Sequence, residues 1–292
     1  MKDDDGNGYS LFVKNPDATG PDLSFSAMVR ESIEDAVEDN PPKWEPRLKQ
    51  TTGKYLLVVD LADVHFLKLA VQTETGYEYN RSVARHRVIE GTKELLRQAE
   101  HFGVARILFV MGNDILHTDN AMKTTTSGTP QDVDGTIFQG FKDASRAVID
   151  AIEICAEVAD VDLVHNMSNH DWVMGWALSQ TIAAFFRGHP NVNATDYNMS
   201  EAHRKYYAFE QNLIGLAHGD SAKEEKLYGL LVAECAEYIS LCKNRYWLLH
   251  HVHHKDRKTR DGNRPQLREK DHNGLTAIIT GEPQFQGKQL NI

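Results

Sequence analysis

The chain has 292 residues, 41% hydrophobic and 25% charged, the composition of a soluble globular protein with the length for one large α/β domain or two small ones. A formal net charge of -10 argues against a broad basic face coating duplex DNA, although bound divalent cations can supply positive charge locally. No apolar stretch is long enough to span a membrane, and the acidic start Asp3-Asp4-Asp5 lacks a signal-peptide core. Cys155, Cys235 and Cys242 form no CxxC motif, which predicts buried thiols in a reducing compartment.

Residues 1–53 read as an N-terminal extension, solvated or partner-binding, with one short amphipathic helix at 24–38. The aliphatic run Tyr55-Leu56-Leu57-Val58-Val59 then predicts a strand buried on both faces of a parallel or mixed sheet. It leads into Asp63-Val64-His65, whose outer residues share one side if the backbone stays extended. Helical spacing follows over 81–101, a second buried strand over 107–111, and a polar loop over 114–135 that is long for a connector. A helix at 138–158, a strand at 161–165 and a helix at 172–187 come next. Strands are expected at 206–209, 213–218, 246–249 and 275–280, a helix at 223–241, and a charged loop at 255–271. The alternating order predicts an α/β sandwich.

Five polar clusters follow predicted strands: Asp63-x-His65, Gly112-Asn113-Asp114-x-x-His117, Asn169-His170-Asp171, His218-Gly219-Asp220 and His250-His251-x-His253. Singly, each has an ordinary reading as turn chemistry, helix cap or surface histidine. Carboxyl ends of strands are also where α/β folds place ligands.

In this order the clusters resemble the calcineurin-like metallophosphoesterase superfamily over about residues 54–254. The D-x-x-H form of the second cluster is similar to the nuclease branch that includes SbcD-type exonucleases. The Thr124-Thr125-Thr126 and Gly128-Thr129-Pro130 wording is similar to phosphoesterases of phages and prophages. The resemblance implies a metallophosphoesterase-type β-sandwich flanked by helices, a four-layer αββα domain over 54–292 with a short C-terminal tail. It implies a bacterial or phage-infected cytoplasm. It also implies two divalent metal ions: Asp63, His65 and His253 hold one, Asn169, His218 and His251 the other, and Asp114 bridges both. His170 becomes the acid near the leaving group, oriented by Asp171, and His117 contacts the phosphate. Three positions depart from the pattern: Asn113 stands between Gly112 and Asp114, Ser168 replaces a Gly, and His250 replaces a Gly. The last two are expected to affect backbone freedom and not the ligands.

Imidazole, carboxylate and amide oxygen suit Mn²⁺ first, then Zn²⁺, Fe, Ni²⁺ or Mg²⁺, and no Cys joins the clusters. A hydroxide bridging the metals is the expected nucleophile on a phosphodiester, with a histidine protonating the leaving alkoxide. The expected partner is therefore a nucleic acid or nucleotide, with no membrane and with a homo-oligomer left open. The basic stretches 203–207 and 255–268 either steer a phosphate backbone or are solvated surface. A phosphomonoesterase or cyclic-nucleotide phosphodiesterase on the same metals is the alternative, and a catalytically degenerate binding module the third reading.

Overall fold

The computed structural model describes residues 53–220, 224–251, 276–280 and 288–291. The helix expected at 24–38, the charged loop at 255–271 and His253 lie outside the described residues.

Strand β1 (Tyr55–Asp60) is buried at every position after Tyr55, because it has neighbours on both edges and apolar side chains on both faces. On one edge it runs parallel to β2 (Val104–Gly112), then come β3 (Asp160–Asn166) and the two-residue β4 (Val192–Asn193), all parallel. On the other edge lie the antiparallel strands β8 (Thr276–Thr280) and β9 (Lys288–Asn291). Such near-continuous apolar strands are what a sheet covered on both faces demands. β4 and β9 were not anticipated: two residues, or the polar Lys-Gln-Leu-Asn, carry no period to detect.

Alternation along each strand divides the core. Leu57, Val59 and Leu61 pack with Val88 and Leu95 of α2 (Arg81–Ala99) and Ala144, Val148 and Ile152 of α3 (Ile137–Ala156). Here α1 is the single turn Gln72–Thr75. Asn80 caps α2 by accepting from the Val83 N–H at 3.0 Å, and Thr136 and Gln139 form a reciprocal capping box on α3. The third covering helix, α4 (Trp172–Phe185), buries Leu178 and Ile182 in the same cluster.

On the opposite face, Leu56, Val58, Leu108, Val110 and Val164 meet Ile214, Leu216 and Leu248 of a second sheet. That sheet joins β5 (Arg204–Phe209) antiparallel to β6 (Asn212–Ala217), and β6 parallel to β7 (Asn244–Leu248). Each fully buried Leu or Ile contributes about 1.5–3 kcal/mol, so this contact is a main source of stability. The far side of the second sheet packs Leu213, Ala217 and Trp247 against Leu227 and Leu231 of α5 (Glu224–Glu234). The expected helix over 223–241 is broken at Cys235 (φ -128°, ψ 36°), after which α6 (Ala236–Ile239) begins. Cys235 and Cys242, on either side of the break, both lie in the Trp247 cluster. All three cysteines are buried. No helix among the described residues is long and apolar enough to cross a membrane.

Gly112 closes β2 at φ 92°, and a Cβ there would lie 1.9 Å from the Asn166 carbonyl oxygen of β3. Neither strand can retreat without opening the ladder. We expect Gly112→Ala to destabilise the fold by about 3 kcal/mol or more, measured by thermal or urea denaturation. A midpoint within about 1 °C of the unaltered chain would show that this approach is not tight.

Candidate metal centre

The clusters meet where β1, β2, β3, β6 and β7 end. Asp63 and His65 do share a site, but not through extended backbone as the sequence suggested. Both have left-handed φ, 55° and 50°, as do Asn113 (50°) and Asp114 (62°) on the neighbouring loop. Such conformations cost non-glycine residues on the order of 1 kcal/mol each and persist where surroundings impose them. Here the two loops are zipped together: Asp63 N–H donates to the Asn113 carbonyl at 2.8 Å, His65 N–H to Asp114 at 3.0 Å, and Phe66 N–H to Ile115 at 2.8 Å. Tyr79 also donates its hydroxyl to the Val64 carbonyl.

Ligand atoms of Asp63, His65 and Asp114 lie within 4.8 Å of one another. Asp114 faces a second group as well, its Oδ2 standing 3.3 Å from His218 Nε2. That nitrogen is 2.8 Å from Asn169 Oδ1 and 3.2 Å from His251 Nδ1, which is itself 3.1 Å from Asn169 Oδ1. Two imidazole nitrogens, an amide oxygen and a carboxylate oxygen thus crowd one point. A cation there would let all four present lone pairs at once, the two nitrogens included, which stand 3.2 Å apart. The donor set fits a divalent metal of the Mn²⁺ or Zn²⁺ type, and the six residues fall into two groups sharing Asp114.

His65, His117 and His170 form an adjoining triad whose ligand atoms also lie within 4.8 Å. His117 Nδ1 is 3.2 Å from His65 Nδ1, and the His117 and His170 rings stack at 5.4 Å. Burial, reinforced by the His170 ring, pushes the His117 pKa down to about 3, so His117 is neutral at physiological pH. It can contact a phosphate by hydrogen bond but brings no charge of its own.

His170 is held twice. Its N–H donates to Asp114 Oδ1 at 3.0 Å, and its Nδ1 lies 3.1 Å from the His117 carbonyl oxygen, which can only accept. Asp171, expected to orient it, is engaged elsewhere: Ser168 Oγ donates to its Oδ1 at 2.6 Å and Leu116 N–H to its Oδ2 at 2.8 Å. The carboxylate is buried and braces two loops, while a backbone carbonyl aligns the His170 ring. Burial raises the Asp171 pKa to about 7. Burial, then the charges of Asp171 and Asp63, hold Asp114 well above the usual carboxylate range. Cations at this point would reverse that cost.

Four contributors have no assigned role in the sequence reading. Ser168, read as a change in backbone freedom, also accepts from Asp114 N–H at 2.8 Å. Asp119 receives the N–H groups of Val173 and Met174 at 2.9 and 2.8 Å and the Thr126 hydroxyl at 2.8 Å, capping α4 from the long loop. Asp60 and His250 pair at 2.8 Å. The hint for Asp60 is a polar residue at the end of an otherwise apolar strand, and that for His250 its place in the cluster His250-His251-x-His253. No family model matches the chain, and no curated protein is significantly similar to it.

Proposed function

We propose that the chain is a two-metal phosphoester hydrolase acting on phosphodiesters, with Asp63, His65 and Asp114 holding one cation and Asp114, Asn169, His218 and His251 the other. The observation that carries this reading is the sharing of Asp114 between two convergent donor groups. His253 falls outside the described residues and completes the first group in the proposal. The three apolar clusters support a helix–sheet–sheet–helix layering, the αββα arrangement of metallophosphoesterases.

A bound cation pair supplies charge neutralisation at phosphoryl oxygens and acidifies water. The chain's own residues do the rest. Asp114 sets the spacing of the two groups. His117, neutral and beside His170, donates to a phosphoryl oxygen. His170, anchored through Nδ1 at the His117 carbonyl, presents Nε2 to deliver a proton to the departing oxygen. A nucleotide or single-stranded nucleic acid is the proposed substrate, since the net charge of -10 disfavours a broad basic face for duplex DNA.

The test is hydrolysis of bis-p-nitrophenyl phosphate against p-nitrophenyl phosphate with Mn²⁺, before and after chelation. We expect the diester to be cleaved at least about 10-fold faster, and chelation to reduce the rate at least about 100-fold. A faster monoester reaction would move the proposal to phosphomonoesters, and no hydrolysis of either with any divalent metal would leave a binding module.

A further inference from the structure

Two residues next to proposed ligands, Asn113 before Asp114 and His250 before His251, converge on one buried group. Asn113 Nδ2 donates to Asp60 Oδ1 at 3.3 Å, and His250 Nε2 lies 2.8 Å from Asp60 Oδ2. Asp60 is 1% exposed and Asn113 fully buried, with Asn113 Oδ1 lacking a hydrogen-bond partner. None of the three is among the proposed ligands.

We propose that Asp60, Asn113 and His250 form a positioning network that sets Asp114 and His251 at the separation a shared cation pair requires. The inference rests on the metal-centre reading above. Its logic is connectivity. Asp60 ends β1, Asn113 directly precedes Asp114 after β2, and His250 directly precedes His251 after β7. One carboxylate therefore ties three ligand-bearing loops across both sheets. A fourth joins through the backbone, since the N–H groups of His250 and His251 both donate to the His218 carbonyl at 2.9 Å. Asn113 in turn accepts from Asp63 N–H through its carbonyl at 2.8 Å. Each loop that brings a ligand from β1, β2, β6 or β7 is thereby one bond from the network.

A purely structural role explains this poorly. Burying a carboxylate and an imidazole between two sheets gains little over apolar side chains of equal volume, because desolvation offsets the attraction. Leu56, Val58 and Leu216 nearby show that the same interface closes well without charge. What a fixed carboxylate does, and an apolar contact does not, is fix the direction of the groups bonded to it. Partners just outside a metal's ligands commonly change affinity 10–100-fold when removed.

The experiment measures Mn²⁺ binding to the full chain by equilibrium dialysis, and the Co²⁺ absorption spectrum, for Asp60→Asn, His250→Leu and His250→Gln. Glutamine keeps an N–H donor near the Nε2 position. We expect His250→Leu and Asp60→Asn to weaken binding about 10–100-fold with an altered Co²⁺ spectrum. His250→Gln should restore affinity to within about 3-fold and recover the unaltered spectrum, a rescue that loss of packing would not permit. Unchanged affinity in either of the first two variants overturns the network, as does a His250→Gln as weak as His250→Leu. If His250→Leu does not fold, Asp60→Asn and His250→Gln decide the matter by the same criteria. Failure of the unaltered chain to bind either metal overturns the metal-centre reading and the network together, whereas normal binding in the variants removes the network alone.

Discussion

Asp114→Asn is expected to reduce Mn²⁺-dependent diester hydrolysis by about 10³-fold or more, the loss anticipated when a paired-cation centre loses its shared anion. Equilibrium dialysis should show at least one of two cations gone. The substitution keeps the shape of the side chain and an oxygen to accept the His170 N–H, so what is removed is charge. Stability should move the other way. The Asp114 pKa is raised above its ordinary 3.8, chiefly by burial and then by Asp171 and Asp63. A carboxyl whose folded pKa is raised binds its proton more tightly in the native state. The metal-free protein therefore loses stability as pH climbs from the unfolded value through the folded one. At neutral pH that cost is present in the unaltered chain and absent in the amide, so metal-free Asp114→Asn should melt higher. An active variant with both cations retained would assign the bridging role to another residue.

His170→Ala should lower turnover about 10²–10⁴-fold while Mn²⁺ affinity changes less than about 3-fold. The separation follows from how the residue is held. Its contact with Asp114 is made by the backbone N–H, which alanine retains, and its ring nitrogen Nδ1 is anchored at the His117 carbonyl. A proton donor matters most when the leaving oxygen is basic. The loss should thus be small for p-nitrophenol as leaving group and large for an alkyl alcohol, read as a steeper dependence of rate on leaving-group pKa. An equal loss for both would mean that His170 stabilises charge on the phosphoryl group and does not deliver the proton.

The sequence by itself determined a buried parallel or mixed sheet and the polar clusters at the ends of its strands. Buried strands such as Leu56-Leu57-Val58-Val59 announce themselves because a sheet covered on both faces excludes polar side chains from its centre. Helix α2 is legible through its 3.6-residue spacing and α4 through its run of Ala, Trp and Phe, while the order of the polar clusters singles out Asp63, His65, Asp114, His117, Asn169, His170, His218 and His251. Tertiary structure alone decided how they are held. Left-handed backbone at Asp63 and His65 comes from hydrogen bonds to a loop some fifty residues away, which no local rule encodes. Asp171 was diverted from its histidine because Ser168 and Leu116, brought near by the parallel pairing of β2 and β3, compete for its two oxygens. Asp60 and His250 are 190 positions apart and meet between two sheets, and a carboxylate's partner is fixed by where the chain returns, not by its neighbours in sequence.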